Sequence, residues 1–294
     1  MNIPSVTIKQ LLEAGVHLGH KTFRWNPKMD KFIFGSKESI HIIDLVQTLE
    51  LAKVSLQEIH KCISTDGKIL FVSTKKQASD AICSLAKNTS QYYVNHRWLG
   101  GMLTNWKTIS NSIKRYKKLN EDLKKENTGF TKKEILKMGI QRDKLERSLG
   151  GIADMKKIPN MIFIIDTNVE SLAVKEAQKL NIPIVAIIDT NSDPTGINFP
   201  IPGNDDARRA INLYCELIEK TILDAQKNKT IEKNIETSEE IQKDKEKIKS
   251  KKVELPKNKK VALSKNKKEK KVSIKEKSIS MLSKIKNIAS KKAK

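Results

Sequence analysis

Three short runs made only of apolar residues constrain the fold of this 294-residue chain more than any other feature of its sequence. They lie at residues 69–72, 161–165 and 184–188 and consist mostly of Ile and Val. A strand with one face in water alternates apolar and polar residues, so a strand that is apolar throughout must be covered on both faces. The runs therefore predict the parallel sheet of a doubly wound α/β protein, with helices packed on both sides.

Weaker signals complete the predicted sheet and its helical layers. Two edge strands are expected at residues 92–94 and 199–201, which brings the sheet to about five strands. The covering helices are expected near residues 75–89, 169–180 and 205–226. A chain of this length up to residue 227 can bury a substantial core, so a single α/β domain is expected there.

The region before the sheet is predicted to fold into small elements. They are a helix over 7–14, a hairpin of 32–34 with 40–43 around a turn at 35–38, and an amphipathic helix that ends near residue 64. Asp44 precedes the long helix, and its carboxylate can accept hydrogen bonds from the unpaired N–H groups of the first turn. Gly15 is expected to end the first helix in the left-handed conformation of a C-cap.

An insertion over residues 104–149 has no strand signal but repeats apolar residues at heptad spacing. Gly129, within an Asn-Thr-Gly sequence, interrupts the repeat, so an antiparallel helical hairpin is predicted. Its apolar seam is formed by Ile109, Ile113, Tyr116 and Leu123 in the first helix and by Ile135, Met138, Leu145 and Leu149 in the second. The predicted division of the chain has four parts. The N-terminal segment and the first half of the α/β domain span 1–103, and the protruding hairpin spans 104–150. The second half of the domain spans 151–227, and a tail spans 228–294.

Charge distinguishes the tail from the rest of the chain. Residues 228–294 contain 23 Lys, 9 acidic residues and no aromatic residue, which gives this segment a net charge of +14. Apolar residues scattered among Lys, Ser and Asn cannot bury enough surface to offset the entropy lost on ordering. The tail is therefore predicted to be disordered, with residues 231–248 and 272–288 as segments that could become helical on a partner.

The whole chain carries a formal net charge of +23, which indicates a polyanionic partner such as nucleic acid. No run approaches about 18 apolar residues and the N-terminus lacks a signal pattern, so a cytoplasmic protein without a membrane partner is expected. Cys62, Cys83 and Cys215 are widely spaced and form no CxxC pair. We interpret them as reduced packing residues.

The segment 95–106 combines aromatic residues, a cation and paired glycines. Guanidinium and indole groups can stack on exposed bases, and glycine lets a backbone approach a phosphate. The alternative is a loop that enters a helix and uses Trp98 and Trp106 to close the edge of the domain. The residues predicted to contact RNA here are Asn95, His96, Arg97, Trp98, Gly100, Gly101 and Asn105.

Together with Ala-Gly-Val-His-Leu-Gly-His at 14–20 and Pro-Gly-Asn-Asp-Asp-Ala at 202–207, this segment resembles the bacterial small-subunit ribosomal protein S-two family. The resemblance runs from about residue 5 to about residue 225. It implies a flavodoxin-like strand order of 2-1-3-4-5 and a hairpin that lies on small-subunit ribosomal RNA and neighbouring ribosomal proteins. A large RNA-binding protein with OB repeats is among the implied partners, whereas a second copy of the chain is not.

Further RNA contacts are expected from basic and aromatic residues outside the segment 95–106. They are Lys21, Arg24, Trp25, Thr74, Lys75, Lys76, Lys107, Lys114 and Arg115. Residues 73–76 follow a strand and open a helix, so their N–H, hydroxyl and ammonium groups could also meet a nucleotide phosphate. The alternative function is therefore an α/β enzyme that acts on RNA or a nucleotide. The absence of GxxxxGK[ST], GxGxxG after that strand, and GxSxG disfavours it.

Carboxylates at the ends of the predicted strands suggest one further site. Asp189, Asp205 and Asp206 follow the last two strands, and His17 could approach them from the N-terminal segment. Such a group can bind zinc or magnesium, and the expected site is one shared with a partner protein. The alternative is structural, with Asp205 capping the last helix and Asp189 tying a turn. No catalytic residue and no other cofactor are predicted.

Overall fold

The computed structural model describes residues 4–125 and 131–250, with residues 230–250 described by their backbone alone. The chain divides into two compact units, Met1–Glu232 and Lys233–Lys294. The central sheet, the helical hairpin and the candidate sites all belong to the first unit.

The N-terminal region forms a small antiparallel sheet between two helices. Its elements are α1 (Ile8–Glu13), β1 (Leu18–Lys21), β2 (Ile33–Lys37), β3 (Ile40–Ile43) and α2 (Leu45–Ser64). The expected hairpin is β2 with β3, but its turn lies at Glu38 and Ser39, both with positive φ, rather than at 35–38. β1 adds a third strand against β3, which the sequence analysis did not predict. Asp44 caps α2 as expected, accepting a hydrogen bond from the Val46 N–H at 2.9 Å.

The five apolar segments form one parallel sheet. Its strands are β4 (Ile69–Val72), β5 (Tyr92–Val94), β6 (Met161–Ile165), β7 (Ile184–Ile188) and β8 (Phe199–Pro202). They lie in the order β5-β4-β6-β7-β8, with every neighbouring pair parallel. Numbered within the sheet, this is the order 2-1-3-4-5. The doubly wound fold and its strand order are confirmed.

Helices cover both faces of the sheet, as the apolar runs require. Besides α2, they are α3 (Ser79–Asn88), α4 (Trp106–Lys124), α5 (Lys132–Leu149), α6 (Ser171–Lys179) and α7 (Arg208–Ser250). Side chains of each strand alternate between two buried clusters, so Ile69 and Phe71 of β4 pack with α2, α3 and α7. Leu70 and Val72 face the opposite cluster, together with α6 and the base of the hairpin.

The helical hairpin consists of α4 and α5, which pack against each other. The predicted interruption at residues 127–129 lies outside the described residues. Ile109, Ile113 and Leu149 belong to the main apolar cluster on one face of the sheet. Farther from the sheet the second seam opens, and Ile135 is 42% exposed. The hairpin is therefore continuous with the core at its base and projects from it farther out.

The last helix passes the boundary that the sequence analysis places at residue 227. The backbone of α7 is helical to Ser250, where the sequence predicts a disordered tail. The sequence has no Gly or Pro between Gly203 and Pro256 that would end a helix. The prediction of disorder for residues 251–294, including a helical segment at 272–288, lies outside the described residues. Among the helices that are described, none has the length and apolar character needed to span a membrane.

Candidate RNA-binding surface and carboxylate cluster

The loop between β5 and α4, residues 95–105, is organised by one carboxylate from α6. The Glu176 side chain is buried and accepts hydrogen bonds from Trp98 Nε1 at 3.0 Å and from the Gly101 N–H at 2.7 Å. It also accepts from the Leu103 N–H at 2.9 Å and from both the N–H and the hydroxyl of Thr104. Five donors thus converge on a single side chain, which determines the path of the loop.

Burial by itself would raise the pKa of Glu176. The hydrogen bonds from Trp98 and from the main-chain N–H groups outweigh burial and hold the pKa of Glu176 below its usual value. Glu176 is therefore ionised at neutral pH although no cationic side chain contacts it among the described residues. Sequence reasoning missed this residue because a glutamate within a short helix carries no distinguishing signal.

This geometry corrects the prediction for Trp98. The Trp98 side chain is 6% exposed and packs in the apolar cluster with Met102 and Leu103, so it cannot stack on a base in this conformation. The alternative in which Trp98 closes the edge of the domain holds. His96, Arg97, Gly100 and Asn105 remain exposed, and Asn95 is half-buried.

Lys75 is also directed inward, toward the carboxyl ends of the strands. Its Nζ lies 2.8 Å from Asp166 Oδ2, 2.8 Å from Asp205 Oδ1 and 2.7 Å from Asp206 Oδ1. Burial would lower the pKa of Lys75, but attraction by Asp205 and the three hydrogen bonds raise it well above its ordinary value. In this conformation the charge of Lys75 is already neutralised, so the predicted contact with an RNA phosphate would require Lys75 to leave these carboxylates.

Lys75 has two neighbours that were also predicted to contact RNA. The Thr74 N–H donates to Glu170 Oε1 at 2.6 Å, so this group is occupied as well. Lys76 is exposed. Of residues 74–76, only Lys76 presents a free charged group in the described structure.

The histidine at the carboxylate cluster is His20 rather than His17. His20 Nδ1 lies 2.6 Å from Asp189 Oδ2, and His20 Nε2 lies 3.5 Å from Asp206 Oδ2. The hydrogen bond to Asp189 is the main cause that raises the pKa of His20. Gly19 allows this approach, since a Cβ there would lie 2.7 Å from Thr190 Cγ2. Both histidines occur in the 14–20 motif, and only the position of β1 decides between them.

Asp205 is fully buried, and its Oδ2 has no hydrogen-bond partner within the described part of the chain. Burial, together with repulsion by Asp166 and Asp189, raises the pKa of Asp205 to about 7. Asp205 does not cap the last helix as expected, and the turn before α7 is instead held by Asn204, whose Oδ1 accepts from the N–H groups of Asp206 and Ala207. Asp205 is thus a buried acid held next to Lys75.

Ligand atoms of His20, Asp189 and Asp205 lie within 4.8 Å of one another, a spacing that a metal ion could bridge. The ammonium of Lys75 already contacts Asp205 and would repel a divalent cation at that carboxylate. Asp166, which the sequence analysis missed, supplies part of the same neutralisation. It follows a sheet strand, so the rule that found Asp189 could have found it. The cluster as it stands fits an internal ion-pair network better than a metal site.

An exposed surface formed by the N-terminal segment carries three of the predicted residues. Lys21, Arg24 and Trp25 are exposed, with the Arg24 guanidinium 5.5 Å from the ring centre of Phe23. Phe23 is 74% exposed and Phe34 is 79% exposed, and neither was predicted. Phe34 lies in a predicted strand and Phe23 in no predicted element, so no pattern in the sequence distinguishes either residue.

The hairpin presents the remaining predicted cations. Lys107, Lys114 and Arg115 are exposed on α4, and Arg115 donates to Gln141 Oε1 at 3.3 Å. No acidic partner contacts these three side chains among the described residues. Their charge is therefore available to an anionic partner.

The structure combines a doubly wound sheet with a basic helical arm, and the acids and Lys75 at the strand ends are paired with one another. These features define the class of a basic α/β protein. Residues 11–225 match the model of the ribosomal protein S2 family. The chain belongs to this family. Membership identifies it as a ribosomal protein, so the alternative of an enzyme acting on RNA or a nucleotide is set aside.

Individual relatives agree with the family match. The chain is 56% identical over 224 residues to small ribosomal subunit protein uS2 of Parvibaculum lavamentivorans, covering 76% of this chain and 88% of the relative. It is 57% identical over 224 residues to the proteins of the same name from Chelativorans sp. and Sinorhizobium medicae, with 84% and 88% of those chains covered.

Proposed function

We propose that this chain is a structural constituent of the small ribosomal subunit in the cytoplasm and binds small-subunit ribosomal RNA through the hairpin and the exposed part of the loop 95–105. The observation that carries the RNA contact is the row of exposed, unpaired cations on α4, namely Lys107, Lys114 and Arg115. They lie on an arm that is anchored in the core at its base, so their positions are fixed before RNA binds. His96 and Arg97 of the neighbouring loop extend this surface.

A second part of the proposal concerns protein partners. Asp206 is half-exposed beside His20, and the strongly exposed Phe23 lines the same cleft as these two residues. Exposed aromatic side chains of this kind are typical of protein interfaces. We propose that this face docks a neighbouring small-subunit protein, in the first place the large OB-repeat protein that the resemblance implies. The Lys-rich tail adds salt-sensitive affinity for RNA without sequence preference.

Particle occupancy tests the RNA contact. The tagged full chain should be recovered in stoichiometric amount with small subunits. Changing Lys107, Lys114 and Arg115 together to Glu should lower occupancy strongly, because three attractive contacts become repulsive. The matched control changes Lys53, Lys179 and Lys227 to Glu, which are exposed and lie outside the proposed surface. Equal occupancy of both variants would contradict the role of the hairpin.

The partner face has its own test. Asp206→Asn should reduce recovery of the OB-repeat protein with the particle while the RNA-bound chain stays at wild-type occupancy. Unchanged recovery of that partner in Asp206→Asn and in Phe23→Ser would contradict the proposed docking face.

A further inference from the structure

A cleft of about 580 Å³ lies between the edge strand β5 and the base of the helical hairpin. Clefts of 300–1,000 Å³ are the usual size for small organic ligands. The side chains in it that matter for recognition are those of Lys87, Tyr93, Asn95, His96, Tyr116 and Arg147. Only Asn95 and His96 of this set belong to the predicted RNA-binding residues.

The base of the hairpin is fixed against the sheet at this point. A Cβ at Gly151 would lie 2.1 Å from the Tyr93 carbonyl oxygen and 2.8 Å from its ring, so only glycine permits this contact. The Tyr93 side chain remains partly exposed, whereas Tyr116 is 9% exposed. The cleft therefore has a rigid aromatic wall that exists before any ligand binds.

The charges in the cleft are not balanced evenly. Asp143 and Glu146 both have Arg142 next to them, with N···O distances of 2.5 and 4.0 Å. Lys87 and Arg147 have no acidic partner within the residues that the structure describes. The lining itself carries two cations, Lys87 and Arg147, and two acids, Asp143 and Glu146, and the adjacent Arg142 leaves an excess of one positive charge. This excess favours a ligand with a single anionic group.

Hydrogen-bonding groups are also held in place there. The Asn95 Nδ2 donates to Ser79 Oγ at 3.2 Å, which fixes the orientation of the amide. Its Oδ1 accepts no hydrogen bond from any described residue. His96 is exposed beside it. An oriented acceptor next to an aromatic wall is suited to the polar edge of a nucleobase.

We propose that this cleft binds one unpaired nucleotide of small-subunit RNA, with its base against Tyr93 and its phosphate held by Lys87 and Arg147. This inference rests on the RNA-binding function proposed above. Unpaired nucleotides are bound by stacking on aromatic rings and by Lys or Arg at the phosphate, and the cleft supplies both within one ligand-sized volume. The contact at Gly151 fixes the base of the hairpin against Tyr93, so little conformational entropy of the protein is lost when the nucleotide binds.

Thiol reactivity provides a direct measurement, because Cys83 lines the cleft and is half-buried. The full chain is bound to a transcript of small-subunit ribosomal RNA, and alkylation of Cys83 by N-ethylmaleimide is followed by peptide mass spectrometry. Cys62, which is half-buried elsewhere, serves as the internal control. Bound RNA should slow alkylation of Cys83 several-fold and leave Cys62 unchanged. A parallel arm replaces the transcript with free mononucleotides.

A charge variant gives a second measurement. Lys87→Gln with Arg147→Gln should abolish the protection of Cys83 and lower the slope of log affinity against log salt by about 0.7, because the two side chains neutralise one phosphate of a single strand. The control, Lys53→Gln with Lys179→Gln, removes the same charge from exposed positions outside both the cleft and the hairpin and should change neither quantity.

Three outcomes would overturn the inference in distinguishable ways. If the chain does not bind the transcript, the proposed function and the cleft proposal both fail. If it binds but Cys83 keeps its reactivity and both variants behave alike, only the cleft proposal fails. If free mononucleotides protect Cys83 and the transcript does not, the ligand is a small nucleotide and the assignment to RNA is wrong.

Discussion

Glu176 and Lys75 are each a single charge enclosed by several partners, but the partners differ in kind. Glu176 accepts from five neutral donors, three of which are main-chain N–H groups. Lys75 lies within 2.8 Å of three carboxylates. Main-chain donors belong to the path of the chain itself, so Glu176 shapes a loop. Carboxylates repel one another, so Lys75 makes their close approach possible.

Glu176 and Lys75 show two ways in which one domain stabilises a buried charge. Loss of Glu176 would leave neutral donors without acceptors, which costs about 1–3 kcal/mol for each donor that stays buried. Loss of Lys75 would leave the buried carboxylates of Asp166 and Asp205 without a compensating positive charge. This loss should lower the free energy of unfolding by more than the loss of Glu176 does. The difference between neutral and charged partners therefore predicts an order of effects.

The largest effect is expected for Lys75→Met. This change retains the stem of the side chain and removes the charge, so the free energy of unfolding should fall by about 4 kcal/mol at neutral pH. Urea denaturation measures it. Lys76→Met, at an exposed neighbour, should change stability by less than about 0.5 kcal/mol. If Lys75→Met were as stable as Lys76→Met, the ion-pair network would not contribute to the fold.

Glu176→Gln should have the next largest effect, a loss of about 2–3 kcal/mol. The amide nitrogen places a donor where the loop presents donors, and only one acceptor oxygen remains. Chemical denaturation compares it with Glu216→Gln, whose side chain is exposed on α7. Equal midpoints for the two variants would mean that the loop does not depend on the Glu176 carboxylate.

The pH dependence of stability provides a separate test of the Glu176 centre. Because the pKa of Glu176 is lower in the folded chain than its ordinary value of 4.5, the folded state binds fewer protons than the unfolded state as pH falls. This contribution to stability is complete above pH 4.5 and is lost as pH falls through the lower folded pKa. Glu176→Gln should flatten this acid limb in thermal melts. An unchanged limb would show that other carboxylates dominate it.

The smallest effects are expected within the loop itself. Trp98→Phe removes one hydrogen bond to Glu176 and should cost about 1 kcal/mol, whereas Arg97→Ala at an exposed site should cost less than about 0.5 kcal/mol. Occupancy in small subunits should show the reverse order, with Arg97→Ala lower than Trp98→Phe. Melting and occupancy measured on the same samples decide this, and a parallel change in both would show that the two residues share one role.

The sequence by itself determined the architecture of the α/β domain. A strand that is apolar throughout cannot expose one face to solvent. The apolar residues of 69–72, 161–165 and 184–188 therefore predicted parallel strands with helices on both sides of the sheet. Local signals were equally sufficient for the Asp44 cap and the heptad pattern of the hairpin. The strand order and the family came from motif resemblance, and the sheet topology and the family match confirm them.

Only the tertiary structure decided which polar residues face inward. Trp98 and Lys75 have the residue types of RNA contacts, but Glu176 lies 78 residues from Trp98 and Asp205 lies 130 residues from Lys75. His20 rather than His17 reaches Asp189 because β1 joins β3 and passes the end of β7. Whether a cation is free for a ligand depends on partners brought together by folding, and no local pattern in the sequence specifies them.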